Sequence, residues 1–170
     1  DLCTGCGCIG IACAVAFPDA QVDLAELEAP ACEVCRRNVE RHDLVERCRV
    51  LQGDLFDAAG DRRYDLIICN PPYVPAAECD ALPAEYQHEP RGALVSGADG
   101  MDCVARLLDE APMHLHKGGT LVCEIGASQA EFDARFPQFP GLWPEFAHGG
   151  SGVFVISRAD LVNWQASRVQ

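Results

Sequence analysis

The stretch IICNPPYVP, residues 67–75, places a carboxamide, two prolines and a tyrosine directly after an apolar run. Asn70 offers a side-chain acceptor and donor where a strand would end. Each proline fixes its own φ and restricts the residue before it, so Asn70-Pro71-Pro72-Tyr73 is stiff before anything binds. Asn and Pro are also ordinary residues of a strand-terminating turn. The choice between these readings depends on the segments upstream. There, in DLCTGCG, Gly5 and Gly7 let the backbone turn tightly and approach a ligand that side chains would exclude. Glu26, closing a short apolar run, can accept two hydrogen bonds from a ribose diol. Asp54 in GDLF can accept from an adenine amino group while Leu55 packs on the ring. Taken singly, either acid reads as a solvated turn residue. Following successive strands, they read together as a nucleoside site.

Those residues need elements to position them, and the chain alternates accordingly. The opening glycine turn runs into an apolar helix that stops before Pro18. QVDLAEL reads as a strand ending in acids, APACEVCRRNVERHD as a helix with a basic outer face, and RCRVLQGDLF as strand and turn. YDLIICN is a near-continuous apolar strand of the kind buried on both faces of a parallel sheet. After a long loop, MDCVARLLDEAPMHLH reads as a helix with Gly118-Gly119 as its stop, TLVCEIG as a strand and SQAEFDARF as a shorter helix. LWPEFAHGGSGVFVISR reads as two strands around a glycine-rich hairpin, an antiparallel pair at the sheet edge. Strand-helix alternation implies an α/β fold, a mostly parallel twisted sheet with helices on both faces. Ligands of such sheets bind beyond the carboxyl ends of the strands, so the rule predicts one crevice for Thr4 to Gly7, Glu26, Asp54 and Asn70 to Tyr73.

Composition narrows the function classes. In 170 residues, 49% hydrophobic, the chain has material for one domain with a real core. Lys and Arg number 13 against 26 Asp and Glu, a formal charge of −13, which works against gripping nucleic-acid phosphates. No run approaches the roughly 18 apolar residues of a membrane span, and no signal-like start is present. The reading is a cytoplasmic protein without membrane contact. The 11 cysteines are odd in number and sit in apolar segments, as at Cys13, Cys69 and Cys123, which suits buried small hydrophobes in a reducing compartment. Neither Cys3, Cys6 and Cys8 nor Cys32 and Cys35 has the second ligand pair that a structural zinc needs, so no metal is expected.

DLCTGCG, GDLF and NPPY together resemble the class I S-adenosylmethionine-dependent methyltransferases of the HemK/PrmC and PrmB group, which methylate glutamine side-chain amides in translation proteins. The resemblance covers nearly the whole chain. LPAEYQHEPRGALVSGADGMD and FAHGGSGVF are more similar to the PrmB branch, which modifies a large-subunit ribosomal protein, than to the release-factor branch. The resemblance implies a Rossmann-like fold with S-adenosylmethionine as cofactor, held by Asp1, Cys3, Thr4, Gly5, Cys6, Gly7, Glu26, Asp54, Leu55 and Asn70. It implies Asn70, Pro71, Pro72 and Tyr73 as catalytic residues. A carboxamide nitrogen is a poor nucleophile, because its lone pair is delocalised, so it must be aimed rather than ionised. The Asn70 side-chain oxygen and the Pro71 carbonyl can take its two hydrogens, while Tyr73 packs on the amide plane and its ring favours the sulfonium. His88, Glu89, Pro90 and, with Gly149 and Gly150, His148 are expected to shape the substrate pocket.

Two residues depart from the family pattern. Glu26 stands where Asp is usual, and Cys6 where Ser or Thr is common; weaker cofactor binding is expected. Asp1 falls at the end of the first strand, so the reading is that residues 1–170 are the catalytic domain, with the upstream helical substrate-recognition segment and most of that strand absent. The first strand is expected as a stub of lowered stability. The reaction expected is methyl transfer to a glutamine amide of a ribosomal protein. Alternatives are a release-factor glutamine methyltransferase, a nucleic-acid amino-methyltransferase sharing the NPPY logic, and a non-catalytic S-adenosylmethionine-binding fragment.

Overall fold

The computed structural model describes residues 1–83, 86, 89–147 and 149–168. Two compact units emerge, Asp1–Arg62 and Arg63–Gln170.

In the first unit, helix α1 (Cys8–Ala16), strand β1 (Val22–Glu26), helix α2 (Ala29–Arg41) and strand β2 (Cys48–Gln52) follow in order. β1 and β2 pair in parallel, with Glu26 opposite Gln52. Of the expected first strand, Leu2 makes a single parallel bridge to Ala25. Ile11, Ala14, Leu24, Cys35, Val39, Leu44 and Cys48 close over one another as the core. α1 ends where Pro18 approaches, and its orphan carbonyls find a partner in Arg47, whose guanidinium donates to Ala14 O at 2.9 Å and to Ala20 O at 3.0 Å. α2 carries Pro30 in its first turn, where the missing N–H costs nothing. A 3-10 turn, Leu55–Ala58, follows β2.

The second unit holds β3 (Tyr64–Cys69), a short helix α3 (Arg91–Leu94), α4 (Asp102–His114), β4 (Leu115–Glu124), α5 (Gln129–Arg135), β5 (Val153–Ser157) and α6 (Arg158–Arg168). β3 runs parallel to β4, and β5 is antiparallel to β4. Phe132, Phe136, Phe139, Trp143, Phe154 and Trp164 form a cluster of edge-to-face and tilted rings, with centroids from 4.9 to 6.2 Å apart.

Several sequence expectations need correction. β3 is not buried on both faces along its length, since Asp65 and Leu66 are exposed and burial begins at Ile67. Gly118-Gly119 does not stop a helix; both lie inside β4, at a register shift that pairs Tyr64 with Leu115 but Leu66 with Thr120. LWPEFAHGGSGVFVISR supplies one strand rather than two: Leu142 makes an isolated bridge to Val155, and the true antiparallel partner of β5 is β4. The sequence reading also left α6 out. That helix completes a hydrogen-bond ledger begun in α4. Pro112 lacks the N–H that would bond Leu108 O, and Gln165 Nε2 donates to that carbonyl instead, at 2.7 Å. Arg158 Nε takes the Pro112 carbonyl itself at 2.7 Å.

Cys32, Cys35, Cys48, Cys69 and Cys123 are buried thiols, whereas Cys6 and Cys8 are exposed. Burial pushes the thiols of Cys32 and Cys48 up, and that of Cys35 up to about 11, so these sulfurs pack as neutral apolar groups. No helix among the described residues is long and apolar enough to cross a membrane. The described residues contain no group of three or more His, Cys, Asp or Glu able to hold a metal ion.

Candidate functional site

The glycine turn is built by two carboxylates. Asp1 Oδ2 accepts from the Thr4 hydroxyl and, at 2.9 Å, from the Gly10 N–H, tying the start of the turn to the first turn of α1. Thr4 is buried, and its N–H reaches Ala25 O at 3.0 Å. Glu26 Oε2 accepts from the Gly5 N–H at 2.8 Å and Oε1 from the Glu28 N–H at 2.9 Å. The extra methylene of Glu26 relative to Asp therefore has a use: the carboxylate bridges the glycine turn and the entry to α2. The Glu26 carbonyl accepts the Gly53 N–H at 2.9 Å, which brings Asp54 to the same end of β1 and β2.

The two glycines of the turn differ. A Cβ on Gly5 would meet nothing within 4 Å, so that face is open. A Cβ on Gly7, at φ +86°, would lie 2.6 Å from Cys35 Sγ, so Gly7 is required by packing and not by access. Cys3 has φ 54°. Cys6 is exposed, and its carbonyl accepts from Asn38 Nδ2 at 2.8 Å. Leu55, at φ 48°, is only 4% exposed, so its side chain is committed to the core. Asp54 directly precedes the 3-10 turn and is half-buried.

In the second unit, Asn70 follows the last residue of β3 and is exposed, and its carboxamide has no hydrogen-bond partner among the described residues. Pro71 is buried, and Pro72 and Tyr73 are half-buried. The chain then pairs with a later segment: Val74 N–H donates to Leu94 O at 2.8 Å, Ser96 N–H to Val74 O at 3.1 Å and Ala76 N–H to Gly97 O at 3.0 Å. Ser128 Oγ donates to the Tyr73 carbonyl at 3.3 Å. The Tyr73 phenol is pushed up chiefly by burial, then by the negative potential of Glu124, Tyr86 and Glu89. It stays protonated at neutral pH.

Sequence reasoning missed Asn38, Gly10, Gly126 and Ser128. Nothing in the sequence marks the contact from Asn38 to the Cys6 carbonyl. His88 and His148 lie outside the described residues. Glu89 is exposed, and Pro90 precedes α3.

These features are those of an α/β methyltransferase of class I. The solved methyltransferase of Pyrococcus furiosus superposes with a TM-score of 0.66 over 91% of this chain and 71% of its own, at 19% identity. Residues 1–86 match the family described as the methyltransferase small domain, and the chain belongs to that family. Two relatives named ribosomal protein uL3 glutamine methyltransferase are similar over 161 residues, 95% of this chain. That of Bordetella pertussis is 46% identical and that of Bradyrhizobium diazoefficiens 48% identical. The chain spans about half the length of these relatives, 54% and 50% respectively.

Proposed function

We propose that this chain transfers a methyl group from S-adenosylmethionine to the side-chain amide nitrogen of a glutamine in a translation protein, with ribosomal protein uL3 as the acceptor. Residues 1–170 are read as its catalytic domain, working in the cytoplasm without direct nucleic-acid contact. The observation that carries the reading is Asn70: an exposed carboxamide with no hydrogen-bond partner among the described residues, at a strand end followed by the buried Pro71.

The residues of the turn suit the cofactor. Gly5 has an open face, and each Glu26 oxygen holds one backbone N–H and keeps a second lone pair for a ribose hydroxyl. Asp54 stands at the neighbouring strand end to accept from an adenine amino group, with buried Leu55 fixing the turn beneath it. Asp1, Cys3, Thr4, Cys6 and Gly7 shape the loop. When bound, S-adenosylmethionine supplies an electrophilic methyl group. The Asn70 Oδ1 and the Pro71 carbonyl accept the two hydrogens of the glutamine amide and orient its nitrogen. Because the lone pair is delocalised, this aiming supplies most of the barrier reduction, and well-oriented groups gain about 7–11 kcal/mol. Pro72 keeps the carbonyl of Pro71 in place, and Tyr73 covers the amide plane. The amide proton becomes acidic only as the new C–N bond forms, so no strong base is needed.

The test is methyl transfer from labelled S-adenosylmethionine to purified uL3, to a release factor, to RNA and to DNA. Label in a glutamine of uL3, lost when that glutamine is replaced, is the expected result. Label in a nucleobase, or in no acceptor, would overturn the reading.

A further inference from the structure

Tyr73 is held by contacts that NPPY itself does not contain. Its ring lies on Gly126, just past the carboxyl end of β4. A Cβ built on Gly126 would sit 2.7 Å from the Tyr73 Oη, 2.8 Å from Cζ and 2.9 Å from Cε2. Real Cβ atoms do not approach ring atoms so closely, and Gly126 also has φ +55°. Behind it stands Gly152, part of the glycine-rich segment before β5. A Cβ on Gly152 would lie 1.8 Å from Gly126 O, and Ile125 N–H donates to Gly152 O at 2.7 Å. On the other side, a Cβ on Gly100 would lie 2.2 Å from the Tyr73 carbonyl oxygen, to which Ser128 Oγ also donates. Phenol, Gly126 peptide and Gly152 therefore form three stacked layers in one unit, with no side chain between them.

From this stack we infer that Gly126 is a positioning residue: its bare backbone sets how far the Tyr73 ring projects over the acceptor amide, and Gly152 backs it. The inference rests on the methyl-transfer reading above and assigns a role to Gly152, which that reading leaves unused. The ring cannot drop further, because peptide atoms stop it. It rises if anything fills the seat. A methyl at position 126 lifts the phenol tip outward and narrows the slot that the glutamine side chain must enter.

Two measurements separate the seating from the chemistry. The first is ultraviolet titration of the phenols, with Tyr73→Phe identifying the Tyr73 component. In Gly126→Ala, the Tyr73 titration is expected to move down toward the ordinary tyrosine range as the ring leaves its buried seat. No movement overturns the seating. The second is steady-state methylation of uL3. Gly126→Ala is expected to raise the KM for the protein and lower kcat, together at least 10-fold in kcat/KM, while the Kd for S-adenosylmethionine stays within about twofold. Unchanged kcat/KM despite a moved titration overturns the positioning role; a wild-type protein inactive on every acceptor defeats the methyl-transfer reading instead. Should Gly126→Ala fail to fold, the double variant Gly126→Ala/Tyr73→Leu, which lacks the three clashing atoms, is expected to fold again. Failure of that recovery overturns the contact.

Discussion

The glycine turn of the first unit and the NPPY segment of the second are both rigid, but by opposite means. The turn is held by charge: Asp1 takes the Thr4 hydroxyl and the Gly10 N–H, the latter at 2.9 Å, and Glu26 takes the Gly5 N–H at 2.8 Å and the Glu28 N–H at 2.9 Å. NPPY is held by shape, through proline rings and glycine backbones that leave Tyr73 no room to move. The difference matters for binding. A carboxylate with spare lone pairs can hold a turn and still receive a ligand hydroxyl, so support and recognition share one group. At Asn70 the two are kept apart, because no described residue hydrogen-bonds to the carboxamide and the support of the segment comes mainly from proline rings and glycine backbones, with Ser128 Oγ on the Tyr73 carbonyl.

The sharpest way to test this contrast is to remove the recognising group on the shape-held side. On the proposed reading Asn70→Ala takes away one of two acceptors for the glutamine amide, and no described residue hydrogen-bonds to that side chain. Methyl transfer is expected to fall about 10²–10³-fold, the usual effect of deleting one preorganised hydrogen-bonding partner, with thermal stability unchanged. A loss of stability of more than about 1 kcal/mol would mean that Asn70 supports the fold after all.

Next in size is a change that attacks the charge-held side by packing. A Cβ on Gly10 would lie 2.2 Å from Leu24 Cδ2 and 3.0 Å from Asp1 Cβ and Oδ2. Gly10→Ala is expected to destabilise the protein by about 1–3 kcal/mol, the range for overpacking, and to weaken S-adenosylmethionine binding along with it. Denaturant melts and calorimetric titration check both. Weakened stability with intact cofactor affinity would detach the turn from Asp1.

Glu26→Ala follows. It strips the acceptor from two backbone N–H groups at 2.8 and 2.9 Å, but both lie where water can replace it. The expected loss in stability is about 1 kcal/mol, with a larger loss in cofactor affinity, because the ribose acceptor goes too. Glu26→Asp is the finer test. The shorter side chain is expected to release the Gly5 N–H while still reaching a ribose, so affinity recovers more than stability does.

The charge-held side was the more legible in sequence. DLCTGCG, Glu26 and Asp54 announce themselves by residue type and by their places after successive strands. On the shape-held side only the prolines and Asn70 were readable. Gly126 and Gly152 are far from Tyr73 along the chain, and a glycine that seats a ring looks the same in sequence as one that makes a loop. Gly118-Gly119 failed for that reason: the pair looked like a helix stop and serves a register shift within β4. α6 was missed because its partners are backbone carbonyls freed by Pro112, a debt that shows only when α4 and α6 are placed side by side. Leu55 was read by its neighbour Asp54 as a ring contact, whereas its own burial, at 4% exposure, assigns it to the core.

The smallest effect concerns a charge pairing near the shape-held segment. Arg135 Nη1 donates to Asp99 Oδ1 at 2.9 Å and Oδ2 at 2.8 Å, and lies 3.0 Å from Asp102 Oδ1, closing the turn that presses Gly100 against the Tyr73 carbonyl. The Arg135 hydrogen bond holds the Asp99 carboxyl below the usual carboxylate range. A carboxyl whose folded value is depressed stabilises the fold at pH above its unfolded value, near 4, and loses that contribution as pH falls through the folded one. The pair is partly open to solvent, with side-chain exposures of 35% and 40%, so screening limits it to less than about 1 kcal/mol. Arg135→Gln is therefore expected to be slightly less stable than wild type at pH 6, with the gap closing as the pH falls below about 4. Chemical denaturation at those pH values measures it. A gap that stays constant into acid would show that Arg135 acts by packing, which would make this segment shape-held throughout.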